Sequence, residues 1–193
     1  MRKNVVVVAM TGASGAALGL RIVARLCALD ATEVHVVVTP SGERTLLHEV
    51  GPEAAATLRS SASVVHDAGE IGASIASGSF QTAGMIVAPC SVRALSAIAG
   101  GITSDLVIRA ADVHLKERRR LVLMVRETPL HLGHLRAMTA VTEMGAIVMP
   151  PMPAFYLKPQ GVDEVVDHLA TRAIDLLGLP GAPLSRAWNG SDP

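Results

Sequence analysis

Small, hydroxylated and charged residues recur just after short runs of branched aliphatics, and there this chain could do chemistry. Gly12, Ala13, Ser14 and Gly15 follow VVVVAMT, Thr39 and Pro40 follow VHVVV, and Cys90, Ser91, Val92, Arg93 and Ala94 follow MIVAP. Arg126 and Glu127 follow LVLMV, and Tyr156 lies in PPMPAFYLKP. The glycines of TGASG permit positive φ or close backbone approach. Ser14 can cap a helix, and a helix start offers N–H groups and partial positive charge to a phosphate or a polarised ring edge. Ser91 repeats that logic. Arg126 and Glu127 directly follow a buried run, where charges need a partner or a ligand, a structural ion pair being the alternative.

The glycine spacing is not GxGxxG, and the second apolar run ends in Thr39–Pro40 rather than in the acid that grips a dinucleotide ribose. NAD is therefore disfavoured and a mononucleotide such as FMN fits better, while TGASG alone reads equally well as a packing turn. Cys90, a small apolar thiol with no neighbour to lower its pKa, reads as structural rather than nucleophilic. Residues 116–120, KERRR, read as the solvated end of a helix. His131 and His134 match no zinc spacing, so no metal site is expected. Arg172 lies at the edge of an apolar stripe formed by Val162, Val165, Val166, Leu169, Ala173 and Leu176, where its stem can be buried and its guanidinium can reach beyond.

The elements that must position these residues alternate along the chain. Strands are expected over 5–10, 34–39, 64–66, 85–88, 121–125 and 146–149. Helices are expected over 14–29, 42–49, 70–76, 91–100, 105–118, 131–144 and 162–177. Such alternation predicts an α/β fold: right-handed βαβ units, a parallel sheet and helices on both faces. The candidate residues then fall together, because open parallel sheets bind ligands at the carboxyl ends of their strands.

Composition narrows the function classes. Aromatics make up only 2% of 193 residues, so the core must be aliphatic; 17 basic against 17 acidic residues leave no global field to hold an anion. Neither feature suits a nucleic-acid binder. No apolar run is long enough for a membrane span, no secretory signal is visible, and two cysteines fit a reduced cytoplasmic protein. Self-association is expected of so apolar a chain.

Taken together, TGASGA, SGSFQTAGMIVAPCS, RAADVHLKERRRLVLMVRETPLHLGHLRAM, GAIVMPPMPAFY and KPQ resemble the UbiX-type flavin prenyltransferases, including the small B proteins of phenolic-acid decarboxylases. The resemblance runs from about residue 4 to about 178. The ending SRAWNG is similar to the decarboxylase-associated branch. The resemblance as a whole implies a Rossmann-like or flavodoxin-like sheet in one flavin-binding domain over residues 1–180, followed by a tail over 181–193. It also implies a homo-oligomer, a dodecamer in this family. The implied activity joins the dimethylallyl group of dimethylallyl phosphate to N5 and C6 of reduced FMN, without a metal, and the prenylated FMN passes to a UbiD-type decarboxylase.

Carried over by motif, Gly12, Ala13, Ser14, Thr39, Ser91, Val92, Arg93, Ala94 and Arg126 would bind FMN. Lys116, Tyr156 and Arg172 would hold the substrate phosphate, and Ser14, Glu49, Lys116 and Glu127 would serve catalysis. Thr39 stands for the usual serine, Ala94 for a Thr or Ser, Leu157 for a His or Asn, and Asp105 for an Asn. Two other readings remain at this point: an FMN-dependent cysteine decarboxylase of related fold, and a non-catalytic flavin-carrying accessory subunit.

Overall fold

The computed structural model describes residues 3–181, 183–188 and 190. Six strands form one sheet: β1 (Asn4–Met10), β2 (Thr32–Val38), β3 (Val64–Asp67), β4 (Gly84–Cys90), β5 (Leu121–Val125) and β6 (Ile147–Val148). Seven α-helices connect and flank them: α1 (Ala16–Cys27), α2 (Pro40–Glu49), α3 (Ala54–Ser61), α4 (Val92–Ala99), α5 (Leu106–Lys116), α6 (Leu132–Glu143) and α7 (Val162–Asp175). Every strand pairing is parallel, in the order β3-β2-β1-β4-β5-β6. The winding direction therefore reverses between β1 and β4, which opens a crevice at their carboxyl ends.

Period-2 alternation sorts the strand side chains onto two faces. Val6, Val8 and Met10 join the core under α1, α2, α3 and α7. Val7 and Ala9 join the core under α4, α5 and α6. β1 and β4 are buried on both sides, which explains their unbroken aliphatic runs.

Two expectations about elements fail. The helix expected over 70–76 is a three-residue 3₁₀ turn, Ser74–Ala76. Gly72 and the serines there are poor helix formers, and the Asp67 carboxylate turns the chain by accepting from the Gly69 N–H at 2.7 Å. The unexpected helix is α3, whose AAATL run has the strongest helix propensity. The tail also folds back on its own chain. Asp175 accepts from the Leu184 and Ser185 N–H groups, and the Trp188 ring meets Tyr156 edge-on at 5.2 Å. Of the 181–193 tail, Ala182, Asn189 of SRAWNG and residues 191–193 lie outside the described residues. Among the described residues, no helix is long and apolar enough to cross a membrane.

The KERRR stretch is not simply solvated. Arg119 is half-buried and donates to the carbonyls of Gly78 at 2.5 Å and Phe80 at 2.7 Å, pinning the loop that enters β4. The same loop reaches His114, which is fully buried. The Ala110 carbonyl, 2.7 Å from Nδ1, can only accept, so Nδ1 carries the proton and Nε2 accepts from the Thr82 hydroxyl at 2.8 Å.

Burial, reinforced by the Arg119 charge, pushes the His114 pKa down to about 4 from an ordinary 6.5, against the opposing pull of the Ala110 and Gly84 carbonyls. Between those values the unfolded chain binds a proton that the folded chain refuses, so stability rises with pH across that window. The loss on acidification is on the order of 3 kcal/mol. A His114→Leu variant is expected to be less stable than the parent at pH 7, and the gap is expected to narrow by pH 4.5. Urea midpoints at the two pH values measure it; a gap independent of pH would contradict the assignment.

Candidate functional site

Thr11, the residue after β1, ties the two sides of the crevice together. Its hydroxyl donates to the Pro89 carbonyl and accepts from the Ser91 N–H, both at 2.8 Å, and the side chain is buried. The Thr11 N–H also donates to the Pro89 carbonyl, at 3.2 Å. One threonine thus sets the loop after β1 against the loop after β4.

The TGASG turn follows. A Cβ on Gly12 would come within 2.4 Å of the Ser41 Cβ, so only glycine lets this loop nest against the start of α2. Gly15 has φ 113°, a left-handed conformation that starts α1. Here the structure departs from the expected open helix start. Glu49, at the end of α2, accepts from the Gly15 and Ala16 N–H groups, each at 2.8 Å, so the first turn of α1 is already engaged by a carboxylate. Burial alone would raise the Glu49 pKa. The Ser14 hydroxyl, the Ala16 and Gly15 N–H groups and the Arg126 charge together outweigh it and hold the carboxyl below its ordinary value. Ser14, Glu49 and Arg126 therefore form one electrostatic unit.

A cleft of about 340 Å³ opens beside this unit. Gly12, Ala13 and Ser14 line it from β1, Thr39 and Ser41 from β2, and Ser91, Val92, Arg93 and Ala94 from β4. Arg126 and Glu127 close it from β5. All the residues expected to bind FMN thus line one cavity, while Glu49 stands behind Ser14. Thr39 and Ser91 have a structural duty as well: their hydroxyls cap α2 and α4 by accepting from the Gly42 N–H at 3.1 Å and the Ala94 N–H at 3.2 Å. With α1 engaged by Glu49, the start of α4 beside Arg93 is the better place for a phosphate. The volume lies in the usual range for small-molecule sites, and two arginines, several hydroxyls and a carboxylate are chemically suited to a phosphorylated flavin.

Lys116, Tyr156 and Arg172, expected at the substrate phosphate, do not line this cleft of their own chain. Lys116 ends α5, whose first turn is at the cleft; its eleven residues place Lys116 roughly 16 Å away, toward the amino ends of the strands. There it pairs with Glu117 beside Gly78. Arg172 lies near the end of α7, where Leu177 reaches the Gly84 position at the start of β4, again the far end of the sheet. Tyr156 sits on a 3₁₀ turn, half-exposed against Trp188. Lys116 and Arg172 of one chain lie apart, because α5 and α7 cover opposite faces of the sheet. The residues that sequence reasoning missed are Thr11 and Ser41; Thr11 directly follows β1 and Ser41 is the third residue after β2, and that closeness to strand ends was the available signal.

Cys90 is fully buried, and burial pushes its thiol up to about 12, so it is no nucleophile. The His131 ring accepts from the Gly133 N–H as a cap of α6 and stacks on His134 at 3.5 Å. Among the described residues no group of three or more His, Cys, Asp or Glu is placed to hold a metal.

Thr11→Val keeps the shape but leaves the Ser91 N–H without its acceptor, a loss of about 1–3 kcal/mol. Flavin affinity is expected to fall about tenfold, with Thr11→Ser restoring it. Fluorescence titration reads this directly, and equal affinities in Thr11→Val and Thr11→Ser would contradict it.

Comparison with known proteins places this geometry. The model of the family described as Flavoprotein matches residues 1–173. The chain is 49% identical over 187 residues to the flavin prenyltransferase UbiX of Thauera aromatica, covering 97% of this chain and 95% of that one. Among solved structures it is similar to AnUbiX (PadA1) in complex with FMN and dimethylallyl pyrophosphate, with TM-score 0.93, 43% identity and coverage of 99% and 100%. It is also similar to a dodecameric FMN-dependent UbiX-like decarboxylase from Escherichia coli O157:H7, with TM-score 0.90, 42% identity and coverage of 96% and 100%.

Proposed function

This chain belongs to the UbiX family of flavin prenyltransferases, and from that premise we propose what its own residues contribute. The enzyme joins the dimethylallyl group of dimethylallyl phosphate to reduced FMN, making prenylated FMN. The observation that supports this best is the convergence of four strand-end loops on one cleft with Ser14, Arg126 and Glu127 at its wall.

Reduced FMN supplies the electron-rich nucleophile, so the protein needs none of its own, and the inert Cys90 fits that division. Gly12, Ala13, Val92 and Ala94 shape the cleft, while Thr39, Ser91 and Arg93 hold the flavin phosphate. Arg126 orients the ring edge and keeps Glu49 ionised. Ser14 passes the proton released on ring closure toward the Glu49 carboxylate it already contacts. Glu127, on the cleft wall, shares a proton with the departing phosphate.

Lys116, Tyr156 and Arg172 neutralise that phosphate, and because none of them lines the cleft of its own chain, neighbouring copies supply them. The dodecameric state of the Escherichia coli relative makes such an arrangement reasonable. A UbiD-type decarboxylase in the cytoplasm receives the product.

Anaerobic incubation with reduced FMN and dimethylallyl phosphate tests the reading. Release of a flavin heavier by one dimethylallyl unit, with an altered absorption spectrum, is expected; unchanged flavin mass refutes it. Turnover of a peptidyl or pantothenoyl cysteine would favour the cysteine-decarboxylase alternative. Activation of the partner only at equimolar protein would favour an accessory subunit.

A further inference from the structure

A second cavity of about 690 Å³ adjoins the flavin cleft, and Thr39, Ser41, Arg93, Ser104 and Asp105 line both. It lies over the carboxyl ends of β2 and β3, between α2 and α3. Its character differs from that of the cleft. Val38, Ala55, Leu58 and Val65 give it an apolar wall, and His66, Asp67 and Arg59 give it polar groups. The Glu43–Arg59 ion pair bridges α2 and α3 at this cavity. Asp67 uses Oδ1 to accept from the Gly69 N–H, which leaves Oδ2 for another donor. His66 is held by His35, 3.0 Å away.

We propose that the two cavities act as one extended site, and that the second takes the adenylate half of a flavin dinucleotide. The proposal rests on the flavin reading of the first cleft. In a doubly wound sheet with this strand order, a dinucleotide lies across the switch point, one nucleoside on each side of β1. The flavin cleft occupies the β4 side, and the second cavity occupies the β2 side.

The residues common to both cavities suit the phosphates between the halves. Arg93 supplies a cation, Thr39 and Ser41 supply hydroxyls, and α2 starts there. Asp105 is also common to both, and its Oδ1 is engaged in capping α5 at the Ile108 N–H. The apolar wall suits an adenine face, and Asp67 stands where an acid can accept from ribose hydroxyls. In dinucleotide folds that acid ends the second strand, whereas Thr39 and Pro40 follow β2 here; an acid from the end of β3 takes over the role.

Flavin fluorescence titration of the full-length protein with FMN and with FAD tests this, with AMP as competitor. FAD is expected to bind with a Kd no more than about tenfold above that of FMN, and AMP is expected to displace FAD more readily than FMN. Ala55→Trp, which fills the second cavity, is expected to raise the FAD Kd about tenfold while changing the FMN Kd less than about twofold. Retained FMN binding shows that the variant folds. If Ala55→Trp loses both flavins, Asp67→Asn decides: selective weakening of FAD supports the extended site, and unchanged FAD affinity overturns it. Exclusion of FAD by a protein that binds FMN overturns the extended site and leaves the flavin cleft standing. Failure to bind either flavin overturns both.

Discussion

Glu49→Ala loses both activity and stability. The carboxylate caps the first turn of α1 through two N–H groups at 2.8 Å, and removing a cap of this kind costs about 1 kcal/mol. It also leaves Ser14 without its acceptor and Arg126 without its counter-charge, so prenyl transfer is expected to fall about a hundredfold or more. Glu49→Gln separates the two effects, since an amide oxygen can still cap α1 but cannot take up a proton. Its stability at pH 7 is expected to lie nearer the parent while its prenyl transfer stays low. The pH dependence has a definite sign. The folded pKa is depressed, so the stabilising contribution is complete above the unfolded value of about 4.3 and is lost as pH falls through the folded pKa. The stability gap between parent and Glu49→Gln should therefore be full at pH 7 and close in stronger acid. Thermal melts and single-turnover rates measure both; full activity in Glu49→Gln would remove Glu49 from the proton path.

A mixing experiment has the second large effect. Arg126→Ala damages the flavin cleft and Arg172→Ala damages the phosphate set, and each variant alone is expected to lose prenyl transfer about a hundredfold. If copies share sites, co-assembly of the two restores some intact sites. Random one-to-one assembly leaves roughly a quarter of them with both partners unmodified, so activity should recover to about that fraction of the parent. Arg172→Ala should still retain FMN, because Arg172 is at the far end of α7 from the cleft. The mixture staying as inactive as its components would mean that the phosphate is held within one chain.

The elements best legible in the sequence were those whose signal is local. β1, β4 and β5 are rich in aliphatics, and their carboxyl-end loops carry cleft residues, so a parallel sheet with the candidate residues along its carboxyl edge followed from pattern and fold class, while the strand order did not. α3 escaped notice because AAATLRSS shows helix propensity without a strong apolar stripe, and the 70–76 segment misled by its isoleucines. What could not be read was closure across the chain. Nothing near Glu49 reveals that its carboxylate reaches Gly15, nor does anything near Arg119 reveal the carbonyls of Gly78 and Phe80. Lys116, Tyr156 and Arg172 illustrate a further limit, since motif carry-over names residues without placing them, and none of the three lines the cleft of its own chain.

The depth at which Cys90 is held has a chemical consequence for an enzyme that handles reduced flavins. Dihydroflavins react with oxygen and shed hydrogen peroxide, which attacks sulfur through its anionic form. With the Cys90 thiol pushed up to about 12, only about one molecule in 10⁵ carries that anion at neutral pH, and its side chain has no contact with solvent. Cys90, next in sequence to the cleft residue Ser91, is thereby a poor target for peroxide formed there.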